Sequence, residues 1–261
     1  MASVAKSETD DKMWNLTADQ WSSVLQTKDD PADVAARLRR SGVFVPWSTV
    51  LVNESADCTS TVDLGAGRGE HSAILARAGR QTTLVDWAPD NLVFGRQLYA
   101  ALGLTGQFVR ADITRRLPFE DDAIDFVFSC GVFEYFTSSQ IDAILAEAFR
   151  IARKRVVIMV PNAAAIGYRL GKWYMERTGT WEWGGEVPSH TLKPHFERAG
   201  ALSIREFSVG AQHSVEFLHA LPAGIRIANL LTRGLGLTRH PNPSGFNQGY
   251  LLITIGEKRR S

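Results

Sequence analysis

Cysteine is scarce. Cys58 and Cys130 are the two in 261 residues, too few for a disulfide framework and without CxxC metal spacing. An excess of one charge is missing too: 29 Lys and Arg stand against 28 Asp and Glu, a formal +1. That removes the basic field by which a dedicated nucleic-acid binder holds phosphates. Small basic groups at Arg37, Arg39 and Arg40, at Arg115 and Arg116, and at Lys258, Arg259 and Arg260 read as solvated faces, and nucleic acid is not expected as a partner. No run approaches the roughly 18 apolar residues of a membrane span, and there is no repeat or low-complexity segment. Residues 1–12 are small, polar and acidic, lack the apolar core of a signal peptide, and read as a disordered tip. No group of His and carboxylates stands at ligand spacing, so no metal is expected. What is left is a chain of a reducing cytoplasm, long enough to bury about 70–75% of its unfolded surface.

What is present is alternation. From Ser60 to Val160, short β-branched runs exchange with helix-length periodic stretches. Strands are expected at 61–64, 81–85, 107–111, 124–129 and 155–160, with helices at 70–78, 90–102 and 138–152. In the last of these, Ile141, Ile144, Leu145, Ala148 and Phe149 share one face, and Thr137-x-x-Gln140 forms a capping box ahead of it. Strand–helix alternation implies right-handed crossovers and a parallel sheet with helices on both faces, an α/β fold. Upstream, 16–45 has a helical pattern broken at Asp30-Pro31, with Pro31 opening a second helix to Arg40. Trp14, Trp21 and Trp47 lie in or beside these helices. After Pro161 the rhythm loosens: 163–187 is rich in aromatics, 189–199 reads as helix, 202–209 as strand, 221–231 as helix and 250–255 as a last strand.

Asp63-Leu-Gly65-Ala-Gly67-Arg-Gly69 joins a strand to a helix. Glycines there let backbone approach a ligand, and the helix start offers free N–H groups. Asp86 follows Gly65 by about 20 residues at the end of the next strand, where a carboxylate accepts from both hydroxyls of a ribose. Asp112 lies just past the third strand. A dinucleotide fingerprint wants a small residue where Glu70 stands, so a nicotinamide-dependent oxidoreductase is the weaker reading.

These residues resemble those of the class I S-adenosylmethionine-dependent methyltransferases, in particular the methyltransferase type 11 group. Val62 to Gly69 resembles their first motif, Leu84-Val-Asp86 the second, Arg110-Ala-Asp112-Ile113 the third, and Leu117 to Cys130, with its Pro-Phe-Glu-Asp-Asp-Ala-Ile-Asp-Phe-Val run, the fourth. The match covers about 58–162. It implies a Rossmann-like seven-stranded, mostly parallel sheet whose last strand is antiparallel, with N-terminal helices and lid insertions. It also implies S-adenosylmethionine as cofactor and S-adenosylhomocysteine as product. Gly65, Gly67 and Gly69 would underlie the methionine part and ribose, Asp86 would hold the ribose hydroxyls, and Trp87 would flank the adenine. Asp112 and Ile113 would meet the adenine edge, Asp63 would support the ammonium, and Ser129 and Cys130 would stand beside the methionine portion. The chain departs from the pattern at Ala152-Arg153-Lys154, where Pro-Gly-Gly is usual, which implies a tighter connection. It departs again at Arg68, which would face substrate or solvent.

The expected organisation beyond the tip is a single domain, 13–261, made of an N-terminal helical lid (13–57), a cofactor-binding core (58–162), and substrate-side inserts with the last strands (163–261). The expected reaction moves a methyl to O, N or C of a small molecule resembling a metabolite or natural product. A cofactor-binding accessory protein without activity is a further alternative. Glu134 would act as base or attract a cationic acceptor, and His190 and His213 are weaker candidates for the base. Trp173, Trp181 and Trp183, with Tyr168 and Tyr174, would rise over the substrate side. A lipid-linked acceptor would use the apolar residues of 221–231. The sequence leaves monomer and homodimer equally open.

Overall fold

The computed structural model describes residues 30–41, 45, 47–234 and 247–258. The expected tip, the helical pattern of 16–29, Trp14, Trp21 and His240 lie outside them. In chain order the described elements are α1 (Pro31–Ser41), α2 (Ser48–Glu54), β1 (Ser60–Leu64), α3 (Glu70–Arg77), β2 (Gln81–Asp86), α4 (Pro89–Leu102), β3 (Gln107–Arg110) and β4 (Ile124–Cys130). A 3₁₀ turn (Phe133–Tyr135), α5 (Ser138–Ile151), β5 (Ala152–Pro161), α6 (Ile166–Thr178), α7 (Lys193–Arg198) and β6 (Ser203–Val209) follow. The chain then runs through α8 (Ala211–Glu216), a 3₁₀ turn (Phe217–Ala220), α9 (Gly224–Gly234) and β7 (Leu251–Glu257).

The seven strands form one sheet in the order β3-β2-β1-β4-β5-β7-β6. β7 runs antiparallel between β5 and β6 while the other six share a direction. This is the expected Rossmann-like sheet. Its inner strands β2, β1, β4, β5 and β7 are mostly buried on both faces, while the edge strands β3 and β6 are partly exposed, and the inner strands alternate between two cores. Val62, Leu64, Val127, Val156, Ile158 and Val160 pack with α5 and α7 on one side. Phe126, Phe128, Val157, Met159, Ile253 and Ile255 pack with Trp47, Leu51 and Leu75 on the other. Two-residue periodicity sends each strand's neighbours to opposite faces, and continuous apolar runs result.

α5 begins as its sequence predicts: Thr137 Oγ1 accepts from Gln140 N at 3.3 Å, and Gln140 Oε1 accepts from Thr137 N at 2.9 Å. It ends at Ile151 with β5 starting at Ala152, so the departure from Pro-Gly-Gly is a junction without a loop. Two segments differ from expectation. The aromatic stretch after Pro161 contains a 13-residue helix, α6, closed by left-handed Gly179. The helix expected over 189–199 spans only Lys193–Arg198, because Ser189 instead pairs with Asn162 as an isolated bridge. α1 packs Val34, Ala35 and Leu38 on Ala73, Ile74, Leu98 and Tyr99 of α3 and α4, away from the carboxyl edge of the sheet. Trp47 reaches the substrate side instead. Among the described residues no helix is long and apolar enough to cross a membrane.

Candidate active site

β1 and β4 are neighbours while their connections run to opposite sides, which opens a crevice at the carboxyl edge. The glycine loop leaves β1 at this point. Gly65, Gly67 and Gly69 take φ of +71°, +53° and +81°, the left-handed region that favours glycine. A Cβ on Gly65 would meet Val132 Cγ2 at 2.8 Å, so the loop lies directly against the chain that leaves β4. Gly65 N and Ala66 N both donate to Val85 O at 2.9 Å.

Asp86 closes the loop from below. Its carboxylate accepts from Gly67 N at 2.8 Å, Ala88 N at 2.9 Å and Asn91 Nδ2 at 3.3 Å. Burial raises its pKa against those hydrogen bonds. A carboxylate has about four lone-pair sites, so three donors leave acceptor capacity for a ligand hydroxyl. Asp63 is 3% exposed and accepts from Ser72 Oγ at 2.9 Å. Burial, reinforced by the nearby Asp86 and Glu70, pushes it up to about 8. The crevice floor thus carries carboxylates that burial and mutual repulsion hold above their ordinary range, an environment that a positively charged ligand would relieve. Ser129 Oγ donates to Leu64 O at 2.6 Å and ties β4 to β1. On the far side of β2, Asp112 Oδ1 accepts from Thr114 N and Oγ1 at 2.9 and 2.7 Å, Ile113 is buried, and Trp87 is 41% exposed. The ten expected cofactor contacts therefore line one edge. Arg68 faces neither substrate nor solvent: it lies buried over the Phe94 ring at 4.1 Å and pairs with Glu70 at 3.3 Å.

The chain after β4 brings Glu134 in. It is 4% exposed, and its Oε2 has no hydrogen-bond partner. Burial first, then the like charge of Glu186, hold its carboxyl well above the usual carboxylate range. Glu134 O accepts from Val187 N at 3.0 Å, which anchors the 181–188 stretch beside it. Glu186 is itself buried and accepts from Tyr168 Oη. Around this pair the rings of Tyr168, Phe217 and Tyr250 lie 5.0–5.2 Å apart. Trp47 and His213 stand 5.7 and 5.1 Å from Tyr250. Cys130 faces both Glu134 and Asp63, and burial pushes its thiol up.

The three expected catalytic candidates separate. Glu134 is inside. His213 joins the ring cluster, ion-paired with Glu216 at 3.2 Å, its pKa lowered by burial. His190 is exposed, between the Asn162–Ser189 bridge and α7. Glu186 and Tyr250 were missed. A lone carboxylate within an aromatic stretch was the available signal for Glu186, and Tyr250 had none beyond opening the last strand.

A glycine loop and carboxylates at the carboxyl edge of a 3-2-1-4-5-7-6 sheet are the arrangement of a Rossmann-like nucleotide-binding fold. Residues 61–155 match the family model described as a methyltransferase domain. Over those residues the chain carries a methyltransferase domain, and S-adenosylmethionine is the cofactor of that class. No curated protein matches it. Among solved structures it is similar to a possible histamine N-methyltransferase from Thermotoga maritima, at 15% identity over 81% of this chain and 87% of that one, with TM-score 0.58. It is similar also to magnesium protoporphyrin IX methyltransferase from Synechocystis with bound S-adenosylhomocysteine, at 15% identity, 92% and 93% coverage and TM-score 0.56. A third is an S-adenosylmethionine-dependent methyltransferase from Archaeoglobus fulgidus, at 19%, 88% and 96%, and 0.54. At these identities the likeness is one of fold.

Proposed function

We propose that the protein methylates O, N or C of a small molecule, with residues 58–162 holding the cofactor and those after 162 supplying most of the acceptor side. The observation that carries this reading is the packed ring cluster of Tyr168, Phe217 and Tyr250 beside the buried Glu134–Glu186 pair, next to the loop that Gly65 presents to Val132. Surroundings that are mostly apolar, with a few polar groups, suit a compact acceptor with apolar or ring character. The Thermotoga and Synechocystis proteins, whose names specify small acceptors, support it.

S-adenosylmethionine supplies a methyl group on a sulfonium, and the acceptor's lone pair takes it. The protein's part is positioning. Gly65, Gly67 and Gly69 would expose backbone to the methionine part and ribose, and Asp86 would accept from the ribose hydroxyls. Asp63 would face the ammonium, with Ser129 and Cys130 alongside, and Trp87, Asp112 and Ile113 would hold the adenine. Holding the reactants in near-attack geometry contributes roughly 7–11 kcal/mol of barrier lowering, and no protein nucleophile is needed. Glu134 is the favoured acceptor-side group. His213, buried and already paired, and exposed His190 rank behind it.

Thermal unfolding with S-adenosylmethionine, S-adenosylhomocysteine or NAD tests the reading. A ligand at about 100 times its Kd adds about 2.7 kcal/mol, or roughly 5–10 °C at this size. The rise is expected with the two adenosyl compounds and lost in Asp86→Ala. A rise only with NAD, or none, overturns it.

A further inference from the structure

We propose that the acceptor is a small amine carrying a ring, recognised as its ammonium by the buried Glu134–Glu186 pair. This inference rests on the methyltransferase reading and narrows its acceptor to nitrogen.

The pair has the features of a site for an organic cation. Glu134 is 4% exposed with Oε2 unpartnered, and leaving a buried acceptor unsatisfied costs about 1–3 kcal/mol, more if it is charged. The charge that acts on Glu134 is Glu186, of the same sign. Each other group facing the pair is accounted for. Tyr168 Oη donates to Glu186, and Tyr135 Oη is turned to Trp183 O at 3.2 Å. Lys172 touches Glu186 electrostatically, but its ammonium is bound by Glu176 and lies over the Trp181 ring at 4.4 Å. Cys130 and Tyr250 are pushed toward their neutral forms by burial and by these same carboxylates. Beyond Tyr250, His213 is already paired with Glu216. Among the described residues no cationic side chain therefore neutralises Glu134.

The surroundings choose among cations. Tyr168 is fully buried within a cluster of mutually packed rings, and the half-buried Phe217 and Tyr250 are the members that would meet an organic ammonium by cation–π contact or stack on an aryl group. A groove of about 610 Å³, lined by Lys172, Trp173, Glu176, Glu186 and Val187 among others, meets the pair at Glu186. An ammonium has no lone pair to give. An ionised carboxylate of the pair takes one proton from it, leaving a neutral amine and a protonated carboxyl, and nitrogen then holds the electron pair that methylation requires. A free protein with Glu134 protonated would release that first proton as the ammonium arrives.

The test titrates 2-phenylethylamine, 2-phenylethanol and 3-phenylpropionate, matched in size and differing in charge, into the full-length protein saturated with S-adenosylhomocysteine. Calorimetry is run in two buffers of different ionisation enthalpy. The amine is expected to bind at least about tenfold tighter than the alcohol, a difference of about 1.4 kcal/mol. Its binding should release protons, and the carboxylate should bind weakest. Glu134→Gln and Glu186→Gln should each reduce the preference, and Glu134→Gln should also abolish the proton release. Equal binding of amine and alcohol, tighter binding of the carboxylate, or no binding of the amine at millimolar concentration overturns the proposal. The charge series on the unaltered protein decides this even where a variant is unstable. Failure of S-adenosylhomocysteine to bind would be a different result, and would sink the methyltransferase reading itself.

Discussion

A carboxyl buried beside others makes its own proton part of the fold. Asp63 is raised to about 8 by burial, with Asp86 and Glu70 adding to the shift, whereas in the unfolded chain it titrates near its ordinary 3.8. The folded state therefore holds more protons than the unfolded state between those limits. Stability supplied by protonated Asp63 is full below pH 4 and declines as pH rises through 8. His71 acts with the opposite sign. Burial lowers it to about 4, so its contribution is present above pH 6.5 and lost as pH falls. Above pH 7 His71 is largely neutral in both states, and Asp63 sets the slope together with the buried thiols of Cys58 and Cys130, which burial also holds above their ordinary range and which act with the same sign. Denaturant midpoints of the ligand-free protein should fall from pH 7 to 8.5, and Asp63→Asn, which can still accept from Ser72, should flatten that fall. An unchanged slope in the variant would place the proton elsewhere. The same linkage predicts that S-adenosylhomocysteine affinity rises over this pH range in the unaltered protein, because the ligand's ammonium, placed against Asp63, favours the ionised carboxylate.

At the scale of the element, the turn from β1 into α3 joins conformation to packing. Gly69 caps α3 with φ +81°, and a Cβ there would stand 2.3 Å from Leu84 Cδ2, inside the sheet's core. Gly69→Ala meets both a left-handed penalty and overpacking, together about 2–5 kcal/mol. The loss should appear in denaturant unfolding without any ligand, and a loss below 1 kcal/mol would mean the loop yields freely. This turn, Asp86 and the α5 capping box could all be read from sequence because each is local: a few residues at fixed spacing state the geometry. α6 could not. Its exposed Ile166, Leu170 and Trp173 mix with buried Tyr168 and Lys172, which blurs the one-faced pattern by which a surface helix is recognised. Arg68 was misread for a related reason, since its packing partner Phe94 belongs to α4 and no spacing rule links the two.

At the scale of the molecule, the two halves of the site are built differently. The cofactor edge comes from one continuous stretch, β1 to β4, and so appears as ordered motifs. The proposed acceptor side is gathered from Trp47, Glu134, Tyr168, Glu186, His213 and Tyr250, which meet because β7 inserts between β5 and β6 and carries Tyr250 back to the crevice. No local pattern marks residues brought together in that way. Trp47 ties this assembly to the sheet: it is 6% exposed, packs with Leu51, Phe126, Met159 and Val209, and meets His213 edge-on at 5.2 Å. Trp47→Ala should cost about 3–5 kcal/mol, whereas Trp47→Phe retains much of the packing and should cost distinctly less. Because Trp47 lies on the acceptor side, the surviving folded Trp47→Ala protein should lose acceptor affinity by a larger factor than S-adenosylhomocysteine affinity. Equal losses of both would show that the two halves respond as a single unit, with the indole supporting the glycine loop as much as the ring cluster.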